Sequence, residues 1–516
     1  MNKIPRIMIA GTNSGCGKTT VVCGILSALK QMKVAAAACK CGPDYIDPMF
    51  HSQIFGIPSQ NLDLFFSTKE QVSYLCAKNG RNADITVMEG VMGYYDGMQM
   101  DDTKASAYDL AKQTDTPVVL VVNASGMALS VLAIIKGFLE FQTDNTVRGV
   151  ILNGVSQMTG KMLTEIIERE LDIKVYGCIP TMTDFQLSSR HLGLITPHEL
   201  TDLSNDLMKL GEQFLKVVDM EGLIDLANQV SPLSNNLPEE WKEDLEKPVG
   251  KGLRIGVGMD KAFCFYYKEN LELLQDYGCE IVPFSPLEDK TLPENLDALL
   301  LGGGYPELYA NELSKNETMK KSLKKAVEEG LPTLAECGGF MYLHESIEDD
   351  KGRMLPMVGV IKGKATNQHR LVRFGYINVK KQEENAYLMA GETIKGHEFH
   401  YWDSDNNGTV FLAEKANGSR SWSCGHGKNN LMAFDEEAYK KIKRHKEIRK
   451  DKHFETYECY TGSSKLRIPK QRTVLLDCMS NLVANEMFSE NGAKDLTVEE
   501  VVCGIPIYHK GKEHII

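Results

Sequence analysis

A chain of 516 residues is too long for one ordinary hydrophobic core, and division into two or three domains is expected. Its 42% hydrophobic and 25% charged residues are those of a globular protein, and a net charge of −12 with no long basic run excludes a nucleic-acid groove. Thirteen cysteines, an odd number in no metal-ligand spacing, fit reduced thiols in a cytoplasm better than a disulfide framework.

The first ten residues lead straight into a glycine-rich loop, which predicts a first strand over 6–10 and not a signal peptide. Further apolar runs at 34–39, 85–88, 118–122 and 149–152 alternate with amphipathic stretches up to about residue 228. Continuous apolar strands separated by helices predict a parallel sheet covered on both faces. The most apolar stretch, 117–135, is broken by Asn123, Ser125, Gly126 and Ser130, so it reads as strand and helix start, with no membrane span. Residues 229–252 show little periodicity and many turn formers, and are expected to be a linker. A second α/β unit follows at 253–433, with strands expected at 253–257, 280–284, 298–301 and 333–335. Residues 434–516 differ in composition: 438–450 read as a basic helix and 473–476 as a strand.

Gly11-Thr-Asn-Ser-Gly-Cys-Gly-Lys-Thr-Thr20 has the form of a phosphate loop. A strand feeds it and a helix leaves it, so backbone N–H groups and the helix N-terminus face an anion. Thr12, Gly15, Gly17, Lys18, Thr19 and Thr20 are the expected ATP-binding residues, with Lys18 neutralising the terminal phosphates. Thr19 and Glu89, at the end of the third apolar run, are the expected ligands of Mg²⁺. The turn after the second run, Lys40-Cys-Gly-Pro-Asp-Tyr-Ile-Asp47, lies beside the nucleotide crevice of a doubly wound sheet. Lys40, Asp44, Tyr45 and Asp47 are therefore candidates for an acidic substrate and a second cation, although a polar Gly/Pro turn accounts for them equally well.

Cys337 follows the apolar Leu331-Pro-Thr-Leu-Ala335 and precedes Gly338 and Gly339. Strand, tight turn and helix expose a thiol and lower its pKa, as a catalytic nucleophile requires. Gly302-Gly-Gly-Tyr-Pro-Glu307 ends another strand, and Gly303 and Gly304 are the candidate oxyanion-hole donors.

These motifs jointly resemble the cobyrinate a,c-diamide synthase family over most of residues 6–433. The phrases Lys40–His51, Glu89–Gly97, Arg190–Leu194, Asp260–Tyr267, Leu301–Leu308 and Gly396–Tyr401 carry the resemblance. Counted from Gly11, the glycine spacing of the loop is one residue longer than the standard G-x-x-x-x-G-K-[ST] pattern and matches the variant phosphate loop of dethiobiotin-synthetase-like enzymes. The implied fold is α/β: a P-loop parallel-sheet domain followed by a class I glutamine amidotransferase-like domain. The implied activity is ATP-dependent amidation of the a and c carboxylates of cobyrinate through acyl phosphates. L-glutamine or ammonia supplies the nitrogen, and a homodimer is left open. In this scheme Cys337 attacks the glutamine amide. The family's proton-accepting histidine follows an Asn-Leu-x-Ala phrase. Here Asn430-Leu-Met-Ala433 is present, but Glu437 stands in the histidine's place. Loss of that histidine touches glutamine use and leaves ammonia use intact.

Residues 435–488 resemble part of the adenosylcobinamide kinase/guanylyltransferase family, on Ile442–Arg449, Phe454–Glu458 and Val474–Asn485. The resemblance sets His445 at the guanylylated histidine, but no second phosphate loop precedes it. Two other readings stay open: amidation of another tetrapyrrole such as nickel-sirohydrochlorin, and a glutaminase-defective corrinoid-binding fusion.

Overall fold

The computed structural model describes residues 3–181, 203–246, 250–382, 393–428, 430–435 and 437–439, and Met1–Lys441 gather into one compact unit. The 473–476 segment, His445 and the Arg190–Leu194 phrase lie outside the described residues.

The first half is built on a seven-stranded sheet of β1 (Arg6–Gly11), β2 (Ala36–Cys41), β3 (Ser59–Leu62), β4 (Ile85–Glu89), β5 (Val118–Asn123), β6 (Val147–Asn153) and β7 (Lys174–Ile179). The order is β3-β2-β4-β1-β5-β6-β7, and every pairing is parallel. β1 and β4 are buried along their whole length, as continuous apolar strands must be when helices cover both faces. The two packed faces each close a core, one around Ile7, Ile9 and Val119, the other around Met8, Met88 and Leu120. Period-2 alternation along β1 sends Ile7 and Ile9 to one side and Met8 and Ala10 to the other. Arg6 is fully buried at the start of β1, where its guanidinium donates to the carbonyls of Ile4, Thr114, Asp115 and Ser231. Those bonds spread its charge over backbone dipoles, and among the described residues no carboxylate forms an ion pair with it.

Two strands of this sheet, β3 and β7, are not announced by an apolar run. β3 is Ser-Gln-Asn-Leu, and Asn61 is buried because its amide donates to the carbonyls of Gly42 and Asp44. The 229–252 stretch is also more ordered than its composition suggests: it contains a helix at Glu239–Glu246, and Leu233 is buried in the first unit's core.

The second parallel sheet contains β8 (Arg254–Gly258), β9 (Glu280–Phe284), β10 (Ala298–Leu301) and β11 (Thr333–Glu336), ordered β11-β10-β8-β9. Leu431–Phe434 adds a parallel strand beside β11, and His426–Lys428 closes that edge antiparallel. After β11 the chain forms two further sheets. His344–Glu348, Met354–Pro356, Ile361–Asn367 and Trp402–Ser404 make one of four strands. Arg373–Lys381, Thr393–His400, Phe411–Lys415, Ser421–Cys424 and Glu437–Tyr439 make one of five. The expected helix over 438–450 is corrected at its start: residues 437–439 pair antiparallel with 395–397. Lys395-Gly-His offers an open strand edge there, and backbone hydrogen bonding to it overrides the local helical pattern.

Candidate functional site

The nucleotide loop sits where β1 ends. Gly15 and Gly17 take positive φ of 78° and 100°, a backbone region closed to most side chains. At Gly17 a Cβ would lie 2.3 Å from the Asn153 amide nitrogen. That amide donates to the Cys16 carbonyl, so β6 holds the loop from below. Lys18 opens the helix Lys18–Gln31. Its ammonium donates to the Asn13 carbonyl at 3.1 Å and the Met92 carbonyl at 2.5 Å. Burial holds the Lys18 pKa below its ordinary value, so an incoming anion would be doubly welcome. Thr12 bonds Asn13 through its hydroxyl and Val121 through its N–H. Thr20 lies half-buried in the first turn of the helix.

The parallel register decides what surrounds this loop. β2 and β4 pair Lys40 with Glu89, while β1 and β4 pair Ile9 with Glu89. Glu89 therefore emerges between the phosphate loop and the Lys40 turn, with no exposed surface. The Thr19 hydroxyl donates to Glu89 Oε1 at 2.7 Å, and Lys40 Nζ donates to the same oxygen at 2.9 Å. Lys40 also donates to Asp47 at 2.5 Å and lies 3.8 Å from Asp44. One ammonium thus faces three carboxylates, of which Glu89 is wholly buried, Asp47 nearly so, and Asp44 one-third exposed. Burial and the Asp47 charge push Glu89 up to about 8, against the pull of Lys40 and Thr19. Asp44 is pushed up to about 6 by burial and by Asp47, whereas contact with Lys40 holds Asp47 low in spite of its burial.

The fit to a divalent cation is chemical. Glu89 Oε2 is buried without a hydrogen-bond partner, beside the Thr19 hydroxyl and an excess of negative charge. Magnesium binds in this way, through one or two protein oxygens completed by phosphates and water. His51, fully buried, completes the wall. Its Nδ1 bonds Ser59 at 3.1 Å, its Nε2 lies 3.8 Å from Glu89, and burial lowers its pKa to about 4, so it is neutral. Sequence reasoning included His51 in a motif without giving it a role; its burial comes from the π-helical turn Phe50–Ile54.

Tyr45 points elsewhere. Its ring stacks on Phe265 at 5.1 Å and packs on Tyr267 at 4.3 Å, in the second half of the unit. The Phe265 N–H donates to the Gly303 carbonyl at 3.1 Å. The loop with Gly303 and Gly304 is thereby tied to the Lys40–Asp47 turn through one aromatic stack.

Cys337 stands between β11 and the short helix Gly338–Tyr342, with φ 47° and ψ −109°. A non-glycine residue in such a conformation is strained, and strained turns of this kind collect at reactive centres. The glycines around it are dictated by crowding. A Cβ on Gly339 would lie 2.2 Å from the Leu301 carbonyl oxygen, and one on Gly338 would lie 3.0 Å from Pro306 and 3.1 Å from the Gly304 nitrogen. The N–H of Gly304 is therefore brought against the Cys337 turn. The Cys337 N–H donates to the Phe434 carbonyl, where β11 pairs Glu336 with Phe434.

Asp435, next after Phe434, lies 3.2 Å from His400 Nδ1, and Glu398 lies 3.9 Å from His400 Nε2. Burial opposes charge on His400, but the two carboxylates outweigh it and push its pKa up to about 9. A protonated imidazole has no lone pair for a thiol proton. His397 is buried and neutral, lowered to about 4, and its backbone pairs with that of Glu437. His426 bonds the Asn406 carbonyl at 3.0 Å. The candidate residues thus form two groups: Lys18, Thr19, Lys40, Asp44, Asp47 and Glu89 at the first sheet, and Cys337, Gly303 and Gly304 at the second.

Among the described residues no helix is long and apolar enough to cross a membrane. Residues 7–195 match the CobQ/CobB/MinD/ParA nucleotide binding domain, and residues 254–435 the CobB/CobQ-like glutamine amidotransferase domain. Residues 429–514 match cobinamide kinase / cobinamide phosphate guanyltransferase. A cobyrinate a,c-diamide synthase of Caldanaerobacter subterraneus subsp. tengcongensis is 41% identical over 429 residues, covering 83% of this chain and 93% of that protein. Those of Listeria innocua serovar 6a and Clostridium tetani are 39% and 40% identical, covering 84% and 83% of this chain and 95% of each relative. Matched at 41% and 39% identity over 93% and 95% of two such relatives, and with both domain models matched in order, the chain belongs to the cobyrinate a,c-diamide synthase family.

Proposed function

We propose that this chain amidates the a and c carboxylates of cobyrinate, using one ATP for each amide formed. The observation that carries the reading is the buried cluster of Lys18, Thr19, Lys40, Asp47 and Glu89 at the C-terminal ends of parallel strands. A carboxylate is a poor electrophile, and phosphoryl transfer supplies the missing leaving group. The substrate carboxylate oxygen attacks the γ-phosphorus of ATP, giving an acyl phosphate and ADP. Ammonia then adds to the acyl carbon, phosphate leaves, and the amide loses a proton to water. Lys18 and the loop N–H groups stabilise charge on the transferring phosphate. Lys40, held by Asp47 and Glu89, is placed to pair with the incoming carboxylate. Bound Mg²⁺, held by Thr19 and Glu89, supplies charge neutralisation at the phosphates.

Cys337 is the nucleophile toward glutamine: its sulfur forms a thioester, ammonia departs, and water later releases glutamate. Gly303 and Gly304 stabilise the oxyanion. With Glu437 in place of the family's histidine and His400 protonated, glutamine is the weaker nitrogen donor and ammonia the stronger. A cytoplasmic location completes the reading and is supported by thirteen cysteines in no metal-ligand spacing.

The test is ADP release with cobyrinate and Mg²⁺, comparing ammonium chloride with glutamine. Rapid turnover with ammonium and little with glutamine is expected. No cobyrinate-dependent ADP with either donor would refute the reading. Lys18→Ala is expected to abolish turnover with both donors, since it removes the phosphate's partner.

A further inference from the structure

Behind the Lys40–Asp47 turn lies a recess with room for about one water-sized particle, bounded by Gly42, Pro43, Asn61 and Asp63 on one side and Tyr267 and Glu269 on the other. Glu269 begins the helix Lys268–Asp276 and is 8% exposed. Its carboxylate accepts the Asn61 backbone N–H, and Oε2 is left buried without a hydrogen-bond partner. Asp63, 7% exposed, accepts the N–H groups of Phe65 and Phe66 on one oxygen and the Tyr376 hydroxyl on the other. Neither acid belongs to an ion pair among the described residues, and Lys268 and Lys395 act on them from a distance.

We propose that this recess binds a monovalent cation of ammonium's size, with Glu269 Oε2 as its direct ligand and Asp63 as the second negative charge. A water molecule would satisfy the orphan oxygen only with the two carboxyls holding protons, whereas a monovalent cation compensates them in their ionised form. A divalent ion is excluded by space, because magnesium keeps several waters that a one-particle recess does not admit. Burial raises both acids, Glu269 to about 7 and Asp63 to about 6, so a bound cation competes with protons there and its effect is read at about pH 8, where both acids ionise. The identification of ammonium as the occupant rests on the amidation reading, since the recess adjoins the turn that carries Lys40 and Asp44. Potassium has the same charge and nearly the same size.

The test uses the full chain without substrates, so it does not depend on that reading. Thermal unfolding is followed in ammonium, potassium, lithium and choline chlorides at equal ionic strength. Ammonium and potassium are expected to raise the midpoint by about 2–4 °C over choline. Glu269→Gln, of the same shape, is expected to fold with a midpoint in choline at or above that of the unaltered protein, because it removes an uncompensated buried charge, and to lose the increment. An increment that is absent, or that survives in Glu269→Gln, overturns the proposal. Crystals soaked in thallium(I) provide a second readout on the unaltered protein: anomalous density between Glu269 and Asp63 supports the site, and its absence refutes it. In the amidation assay, competition by potassium against ammonium identifies the site as a substrate station. Activation by potassium identifies a structural ion. If cobyrinate is not amidated at all while the cation increment persists, the site stands and the substrate assignment falls.

Discussion

Tyr376→Phe removes one hydroxyl from the contact between the two α/β halves and leaves the ring in place. Tyr376 donates to Asp63 Oδ2 at 2.8 Å across 313 residues of sequence, and its ring packs against Phe65 at 4.5 Å. Burial pushes the Asp63 carboxyl up to about 6 while the Tyr376 hydroxyl pulls it down, so losing that donor raises it further. A carboxyl whose folded pKa lies above its unfolded value favours folding at low pH, and that contribution is lost as pH rises through the folded pKa. At about pH 8, where Asp63 is charged, the missing bond is to an anion and costs about 1.5–3 kcal/mol. At about pH 5 the acid is protonated, the bond is neutral, and the cost falls to about 0.5–1.5 kcal/mol. Urea unfolding of both proteins at the two pH values measures this, taking the first transition because a protein with two cores need not unfold in one step. Equal penalties at both pH values, or a larger one in acid, would refute the assignment of a charged, buried Asp63.

Lys40→Met leaves Asp44, Asp47 and Glu89 without their shared cation, and a loss of about 3–5 kcal/mol is expected in the same unfolding experiment without nucleotide. Cys337→Ala is expected to keep ammonia-dependent ADP release within about twofold and abolish glutamine-dependent release, because the thiol touches only glutamine. A folded Cys337→Ala protein inactive with ammonia would contradict that division of labour. Gly339→Ala forces a methyl against the Leu301 carbonyl and is expected to cost about 1–3 kcal/mol, read as a lower unfolding midpoint.

Much of the fold was legible because the strands of a parallel sheet announce themselves. β1, β4, β5 and β8 are short apolar runs ending in glycine, acid or amide, and an apolar run buried on both faces leaves little room for another reading. β3 was not legible, because Ser-Gln-Asn-Leu is buried through amide-to-carbonyl bonds that exist only once the Lys40 turn lies over it. The strands of the two sheets formed after β11 were equally hidden, since pairings such as Ile361–Asn367 with Trp402–Ser404 join segments far apart in sequence.

The sequence by itself determined the chemistry-bearing loops. Gly15 and Gly17 are demanded by positive φ, a constraint that acts within a few residues, while Gly338 and Gly339 leave room for Gly304, Pro306 and Leu301 at the end of the neighbouring strand. Tertiary structure alone decided which of those groups meet. Lys40 could be a ligand or a turn residue until β2 and β4 paired it with Glu89 and Asp47 folded back onto it. Tyr45 turned toward Phe265, and Asp63 found Tyr376, because docking of the second half creates those surfaces. Burial, and with it the raised carboxyls at Glu89, Asp63 and Glu269, is a property of the assembled layers: no local pattern records how much water a side chain will lose.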